Sequence, residues 1–456
     1  MASSASTVSF SKGPLFRQLL SFALPLMAVN ILQYVYQAVD MVVVGQVVGD
    51  VGLVSMSNAV NAVFLVNAFV IGLTAGGGVV VARAVGARDV AAQRRAYAAT
   101  LAVALLASVG IAVAGVLLAR PAFMANAVPA AALDGAVAYT TVLCCGAVGP
   151  FLMNAAAAFL KAQGDAWTPL VLVGAATFVN VALDLVLVGP AGLGVPGAAV
   201  ATVVAQGLSA LLALALAWRR FPAGRVLGCG VFASGLGDDV RAVLSVGVPS
   251  AVQMAVVNLS YALVTGLLNR YGVDVAAAAG VGLQISTIAG LPCWAIGQAI
   301  TTAAAQCAGA GELARARDVA RLGARFNIGV TLGIQALIQL FAPAIAALYG
   351  LAPGAQLDIA VLYLRITCSV NGLFYAAMYS FDSFALGAGS PRLVLANSLI
   401  DAFAVRFGLA FLLSGALGFG YVGIFVAQAA SPVIPALIGG AYLRHWTRSR
   451  GVAQEK

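Results

Sequence analysis

Long apolar runs constrain this chain more than any other feature of its sequence. A helix needs about 20 mostly apolar residues to cross the hydrocarbon core of a bilayer, and twelve such runs follow one another between residues 15 and 443. Apolar residues make up 62% of the chain and charged residues only 9%, whereas soluble domains carry roughly 25% charged residues. The sequence therefore predicts an all-α integral membrane protein with twelve transmembrane helices.

Glycine, proline and charged residues mark the boundaries of these runs. The predicted spans are residues 15–46, 53–81, 92–118, 131–159, 166–189, 194–218, 240–268, 275–304, 319–346, 357–386, 393–416 and 421–443. The longest connection lies at the middle of the chain. We therefore predict an N-terminal lobe of six helices at residues 1–218, a cytoplasmic linker at 219–239 and a C-terminal lobe of six helices at 240–456.

Short sequence fragments of the first half return in the second half. L-S-F-A-L-P at 20–25 returns as L-S-V-G-V-P at 244–249, and R-D-V-A at 88–91 returns unchanged at 317–320. The two offsets are 224 and 229 residues. Because each half holds six spans, both halves enter the membrane from the same side. The pattern predicts two parallel six-helix repeats, which is a common plan among transporters.

Basic residues indicate the orientation, because Lys and Arg concentrate in cytoplasmic loops. With the N-terminus inside, 20 of the 24 Lys and Arg residues fall on the inner side, and only Arg120 and Arg270 fall outside. The pattern predicts a multi-pass protein of a bacterial-type cytoplasmic membrane with both termini in the cytoplasm. The basic residues that give the net charge of +9 then face the cytosol and the anionic lipid of the inner leaflet. We therefore do not expect nucleic acid as a partner.

Residues typical of metal, nucleotide or covalent chemistry are scarce. His445 is the only histidine, and none of the six cysteines forms a C-x-x-C pair. Gly76-Gly77-Gly78 lacks the Lys and Ser/Thr of a phosphate-binding loop, so we interpret it as a site of close helix packing or a flexible segment. We predict no cofactor, no metal centre beyond a possible Na⁺ site, and no enzymatic activity.

A group of polar residues in the first half lies at one predicted depth. Asp40, Asp184 and Thr202 fall in the outer half of spans 1, 5 and 6, and Asn180 precedes Asp184 by four residues on the same helical face. Ala198 likewise precedes Thr202 by four residues. Two carboxylates, an amide and a hydroxyl can bind a cation such as Na⁺, and a buried carboxylate can instead carry a proton. The alternative interpretation is that Asn180 and Asp184 only tie helices together.

The second half also carries charges within its spans. Asp401 and Arg406 lie in span 11, where they can form a structural ion pair or take part directly in transport. Asp382 lies near the inner end of span 10 and is a candidate cap for the loop at 387–389. We interpret Arg365 as an outer-half helix tie or a snorkelling charge.

Amide and aromatic side chains are scattered along the spans. Each alone is explained by hydrogen bonds between helices, but together they predict an amphipathic central cavity. Such a cavity suits bulky amphipathic or cationic organic substrates. The candidate cavity residues are Gln33, Tyr36, Tyr139, Asn154, Gln253 and Asn258.

Four fragments carry a resemblance to a known family. They are V-D-M-V-V-V-G at 39–45 together with Pro25 and Gln33, K-A-Q-G-D at 161–165, N-x-x-x-D at 180–184 and G-V-P-G-A-A-V-A-T at 194–202. Their order and spacing resemble the multidrug and toxic compound extrusion (MATE) transporters, and look most like the DinF-like branch. The resemblance covers nearly the whole chain.

The resemblance implies a fold and a function. Such proteins form a V-shaped pair of lobes and export organic cations and amphipathic compounds in exchange for H⁺ or Na⁺. The resemblance assigns the coupling to Asp40 and Asp184, with Asn180, Thr202 and the Ala198 carbonyl as further ligands. It implies small-molecule organic substrates and membrane lipid as partners, and we expect a monomer. Another branch places an acid in span 7, where this chain has Gln253 and Asn258.

Three other functions are alternatives to drug export for this sequence. A flippase for a lipid-linked precursor of the same superfamily needs several cationic residues in its cavity, and only Arg365 and Arg406 lie within spans. A sugar or nutrient transporter of the other large twelve-helix class needs G-x-x-x-D-R after span 2, where this chain reads G-A-R-D at 86–89. An integral membrane enzyme needs acidic or nucleophilic residues clustered at one membrane face.

The predicted orientation can be tested with reporter fusions. Alkaline phosphatase fused after Gly192 is expected to be active, because that loop lies outside, whereas the same enzyme fused after Gly311 is expected to be inactive. Green fluorescent protein fused to the C-terminus should fluoresce. Activity after Gly311 together with a dark C-terminal fusion would show the opposite orientation.

Overall fold

The structure is a computed structural model, and it describes residues 8–126, 128–226, 236–351, 353–369 and 371–450. All regular secondary structure within these residues is helical. Ten helices are long and apolar enough to cross a membrane, and the number rises to twelve if each of two bent helix pairs forms one span.

The described residues of the first half form seven α-helices. They are α1 (Leu15–Val48), α2 (Asp50–Gly86), α3 (Val90–Ala125), α4 (Ala130–Cys145), α5 (Val148–Ala162), α6 (Trp167–Leu187) and α7 (Gly194–Arg220). A single 3-10 turn at Pro222–Gly224 follows α7.

Nine α-helices and two π-helical segments lie in the part of the second half that the structure describes. The helices are α8 (Leu236–Asn269), α9 (Val273–Gly309), α10 (Leu313–Leu348), α11 (Ala355–Thr367), α12 (Asn371–Ala388), α13 (Pro391–Leu399), α14 (Gly408–Phe411), α15 (Gly420–Ala430) and α16 (Val433–Ser449). The π-helical segments, Ile400–Phe407 and Leu412–Ala416, lie on either side of α14 within one apolar span, Pro391–Ala416.

Helix lengths repeat between the two halves. α1, α2 and α3 have 34, 37 and 36 residues, and α8, α9 and α10 have the same three lengths. A bent pair of shorter helices follows in each half: α4 and α5 meet at 48°, and α11 and α12 meet at 54°. The helical pattern thus repeats in the same order as the sequence fragments.

Two predicted spans, 131–159 and 357–386, are each broken into two helices. In the first, the Gly146 N–H closes α4 on the Val142 carbonyl, and Pro150 in the first turn of α5 has no N–H to donate. In the second, the Gln339 side-chain amide of α10 donates to the carbonyls of Leu364 and Cys368 at distances of 3.2 and 2.7 Å. These breaks are stable because other groups satisfy the freed backbone atoms.

The fold divides into two compact units. Unit 1 is drawn from Met1–Phe10 and Leu24–Ala251, and unit 2 from Ser11–Ala23 and Val252–Lys456. The first turns of α1 therefore belong to unit 2, and those of α8 belong to unit 1. The lobes predicted at residues 1–218 and 240–456 stay a prediction.

Three successive glycines of α2 let three helices of unit 1 approach it closely. A methyl group on Gly76 would overlap the backbone of Gly247 in α8, and one on Gly77 would overlap the Thr100 side chain in α3. One on Gly78 would lie 3.3 Å from Cβ of Ala158 in α5. The glycine run thus packs helices together, as its sequence context predicts.

The Gly76 contact gives a test of the packing. Gly76→Ala is expected to lower the free energy of unfolding by about 1–3 kcal/mol, because the added methyl meets backbone atoms rather than a flexible side chain. Gly110→Ala in α3 is the control, since nothing lies within 4 Å of its added methyl. Thermal unfolding of both variants in detergent measures the difference. Equal midpoints for the two variants would contradict the packing role of Gly76.

Candidate functional site

Three helices of unit 1 bring the predicted coupling residues together. α1 carries Asp40, α6 carries Asn180 and Asp184, and α7 carries Thr202. Asn180 and Asp184 lie on one face of α6 because four residues are about one helical turn. All four side chains are buried, with exposed fractions between 0 and 5%.

The amide of Asn180 links the other helices of the site. Its nitrogen lies 2.9 Å from Asp40 Oδ1, to which it donates, and its oxygen lies 3.3 Å from the backbone N–H of Thr202, from which it accepts. The Tyr36 hydroxyl lies 3.5 Å from Thr202 Oγ1 and also neighbours Gln206. One amide thus connects α1, α6 and α7.

Asp184 is the least satisfied member of the site. Its side chain is fully buried, yet neither carboxylate oxygen has a hydrogen-bond donor among the described residues. Asp40 is an acidic neighbour that interacts with it directly, through a hydrogen bond that forms when one of the two carboxyl groups carries a proton. The ion pairs within the described parts of the chain include neither Asp40 nor Asp184. Two buried carboxylates without a basic partner require a proton or a cation between them.

An apolar layer covers the site from within unit 1. Tyr139, 4% exposed, and the fully buried Ala198 belong to a hydrophobic cluster with Val44 and Met56. Such a layer excludes water, and low local polarity strengthens every electrostatic interaction of the two carboxylates. Tyr139 interacts electrostatically with Asp40 and Asp184, so it belongs to the surroundings of this site.

The remaining candidate cavity residues are distributed over both units. Gln33 on α1 is exposed, and Asn154 on α5 is half-buried and donates to the Pro150 carbonyl of its own helix at 2.9 Å. Gln253 and Asn258 on α8 belong to unit 2 and are half-buried and exposed. A single cavity lined by all six residues stays a prediction.

The charges predicted in the second half form two contacts within unit 2. Arg406 donates to Asp401 Oδ2 at 2.7 Å, and both side chains are at least 95% buried. Asp382 Oδ1 accepts a hydrogen bond of 2.7 Å from the side-chain amide of Asn397. Arg365 is exposed on α11, in keeping with a snorkelling charge.

Sequence reasoning missed the groups that surround Arg406. Its guanidinium lies 4.3 Å from the ring centroid of Tyr261 and 3.4 Å from the hydroxyls of Ser260 and Ser431. The three residues lie about 145 and 25 positions away along the chain, and no local pattern links them to Arg406. Gln206 beside Tyr36 was also missed, although it follows Thr202 by four residues and so shares its helical face.

Comparison with known families decides the identity of the fold and its repeats. The MatE family model matches residues 25–186 and again residues 249–412, together well over half of the chain. The chain belongs to the MatE family. The two matches begin at the prolines that end the repeated fragments, Pro25 and Pro249, so they support the internal repeat.

Relatives of this MatE protein are named as drug resistance proteins. The chain is 29% identical over 446 residues to the probable multidrug resistance protein YoeA of Bacillus subtilis, covering 96% of each chain. It is 26% identical to the probable multidrug resistance protein NorM of Thermotoga maritima, covering 91% of this chain and 89% of the relative. These names do not favour the flippase alternative, and they confirm the prediction that this chain is not an enzyme.

Solved structures confirm the predicted fold class. The outward-facing conformation of a multidrug resistance MATE family transporter matches 98% of this chain with a TM-score of 0.90 at 19% identity, and 99% of that chain is covered. A MATE structure in complex with MaL6 matches 98% of this chain with a TM-score of 0.91 at 19% identity, and 100% of that chain is covered. The MatE protein is thus an all-α, multi-pass membrane transporter. Its assignment to the DinF-like branch stays a prediction.

The unsatisfied state of Asp184 leads to a prediction about stability. Asp184→Asn is expected to raise the thermal unfolding midpoint at alkaline pH, since it removes a buried charge and supplies an N–H donor to Asp40. The gain is roughly 1–3 kcal/mol, the range for an unsatisfied buried polar group. Asp50→Asn, at an exposed position in the first turn of α2, is the control and should leave the midpoint unchanged. A lower midpoint for Asp184→Asn would show that a partner already satisfies this carboxylate.

Proposed function

We propose that this MatE protein is a secondary active antiporter that exports organic cations and amphipathic compounds in exchange for H⁺ or Na⁺. The observation that carries the proposal is the pair of buried carboxylates, Asp40 and Asp184, without a basic partner. A multidrug transporter needs an energy source. A site that gains and loses a cation can couple the export of substrate to an ion gradient. We assign the coupling to Asp40 and Asp184, with Asn180, Thr202 and the Ala198 carbonyl as further ligands.

The proposed cycle is one of alternating access. A proton or Na⁺ from outside occupies the site, neutralises the carboxylates and changes the hydrogen bonds among α1, α6 and α7. The outward-open state then releases a cationic substrate, because the acidic charge that attracted it is gone. The ion leaves on the cytoplasmic side, and new substrate binds. Coupling requires that the ion and the substrate have different affinities for the two states.

The organisation that the sequence predicts completes the proposal. We place the termini in the cytoplasm, with lobes at residues 1–218 and 240–456 joined by the linker at 219–239, and we infer a monomer. Substrates bind a cavity lined by the amide and aromatic residues predicted above. The neighbourhood of Tyr36, Tyr139 and Asp40 supports a direct link between substrate and ion, because both aromatic side chains belong to the surroundings of the carboxylates.

Transport into inside-out vesicles tests the proposal. Vesicles that contain the wild type should accumulate a fluorescent organic cation when their lumen is acidic or rich in Na⁺, and the effective gradient names the ion. Asp40→Asn and Asp184→Asn are each expected to lower gradient-driven accumulation at least tenfold, because neither variant can bind and release the coupling ion normally.

The matched control is Asp50→Asn, which removes an exposed carboxylate and should transport like the wild type. Gradient-driven transport at the wild-type level in both the Asp40→Asn and the Asp184→Asn variant would show that the ion couples elsewhere. If the wild type moves no organic cation under either gradient, the substrate class is wrong.

A further inference from the structure

A second buried carboxylate site exists in unit 2, and it differs from the first in one respect. Asp401 is 97% buried, like Asp40 and Asp184, but it is paired with Arg406 at 2.7 Å. Among the described residues, Asp40 and Asp184 of unit 1 have no basic side chain as an ion-pair partner, whereas Asp401 has Arg406. The difference decides which carboxylates remain available to an ion from solution.

Several hydrogen-bond acceptors lie around the terminal nitrogens of the Arg406 guanidinium, whereas its Nε and Asp401 Oδ1 have no hydrogen-bond partner among the described residues. Ser260 and Ser431 donate their hydroxyl protons to the carbonyls of Val257 and Gln428, at 2.8 and 3.2 Å. Their oxygens therefore turn lone pairs toward Arg406, each at 3.4 Å. The face of the Tyr261 ring, which attracts cations, lies 4.3 Å away. These groups and the Asp401 carboxylate form a pocket for a positive charge.

The local backbone brings the two charges together. Residues five apart lie about 140° apart around an α-helix, since each residue turns it by about 100°. Asp401 and Arg406 lie instead in the π-helical segment Ile400–Phe407, where hydrogen bonds run from residue i to i+5 and residues five apart share a face. A wider helical turn therefore makes the ion pair possible, and such turns occur frequently at functional sites.

The internal repeat gives an independent link between the two sites. Pro169, in the first turn of α6, and Pro391, the first residue of α13, are 222 residues apart. The offset between the repeats varies from 222 to 229 residues along the chain, so the equivalent of Asp184 falls between Arg406 and Leu413. The span of the second repeat that corresponds to α6 therefore carries a buried arginine, whereas α6 itself carries a buried carboxylate.

We propose that Arg406 is a built-in cation that permanently occupies the Asp401 carboxylate, so that this site takes no coupling ion from solution. The inference rests on the proposed function, because it limits ion coupling at these repeat-related positions to the unit 1 site. Arg406 is thus a residue that determines ion specificity and stoichiometry, and it acts through Asp401 rather than on the substrate. Replacing it should convert the pocket into a new ion site.

The experiment uses the full-length protein in an Asp40→Asn/Asp184→Asn background, so that unit 1 contributes no ion dependence. Thermal unfolding is followed while Na⁺ is raised at constant ionic strength, and separately while the pH is lowered. Arg406→Met is expected to unfold several degrees higher with Na⁺ or at acidic pH, because the freed Asp401 then binds a cation and binding to the native state raises stability. The other titratable and charged groups that interact with the pair are Asp382, Tyr261, Tyr363 and Tyr375.

Two further variants control for structural damage. Arg406→Lys retains a positive charge, and Asp401→Asn/Arg406→Met removes both charges, so neither should gain any ion dependence over the background. In otherwise wild-type protein, Arg406→Met should raise the number of ions exchanged per substrate. The stability measurements do not depend on transport, so they can fail while the proposed antiport holds, and the reverse is also true.

Several results would overturn the proposal. The proposal is wrong if the unfolding midpoint of Arg406→Met responds neither to Na⁺ nor to acid. It is also wrong if the midpoint of Arg406→Lys rises as much as that of Arg406→Met. Failure of Arg406→Met to fold even in acidic or Na⁺-rich buffer would exclude a cation-binding pocket. If the doubly neutral variant also fails to fold, the pair is required for folding itself and its charge balance is not the reason for its presence.

Discussion

The absence of water within the membrane is the constraint on which the rest of this structure depends. Every backbone N–H and carbonyl there must find a partner inside the protein, which is why the described chain consists of long helices. Where a span breaks between α11 and α12, the amide of Gln339 donates to the carbonyls of Leu364, Arg365 and Cys368. Irregular backbone in this fold is thus matched by a specific polar side chain from a neighbouring helix.

The same constraint applies more strongly to charges, because an unpaired buried charge costs more than an unpaired dipole. Asp401 meets it through Oδ2, which accepts from Arg406 at 2.7 Å, while its Oδ1 has no hydrogen-bond partner among the described residues. Asp382 accepts a hydrogen bond from Asn397 at 2.7 Å. For Asp184, no hydrogen-bond donor is present among the described residues. A site that the protein leaves incomplete can be completed reversibly by an ion, whereas one completed by its own arginine cannot. This contrast supports an exchange function for unit 1 and a fixed charge in unit 2.

Much of the fold and part of the site were predictable from the sequence, for reasons of periodicity and length. Apolar runs and repeated fragments locate the spans, and the four-residue spacing of Asn180 and Asp184 places both on one face of α6. Counting residues from the span ends brought Asp40 and Thr202 to the same depth, and the structure brings them together. Tertiary contacts were not predictable: the bends at 48° and 54° depend on distant partners such as Gln339. The π-helical geometry that pairs Asp401 with Arg406 has no signature in hydropathy.

The duplication explains how one scaffold holds both kinds of site. The halves share helix lengths of 34, 37 and 36 residues and two family matches that start at Pro25 and Pro249, so the helical framework has stayed constant. Within that framework, single side chains set the charge: α6 carries Asp184, and the corresponding span of the second repeat carries Asp401 with Arg406. If both repeats carried buried acids without a basic partner, each repeat would bind an ion. Under the proposed function, an acid in one repeat and an arginine in the other leave the unit 1 carboxylates as the site that exchanges its cation.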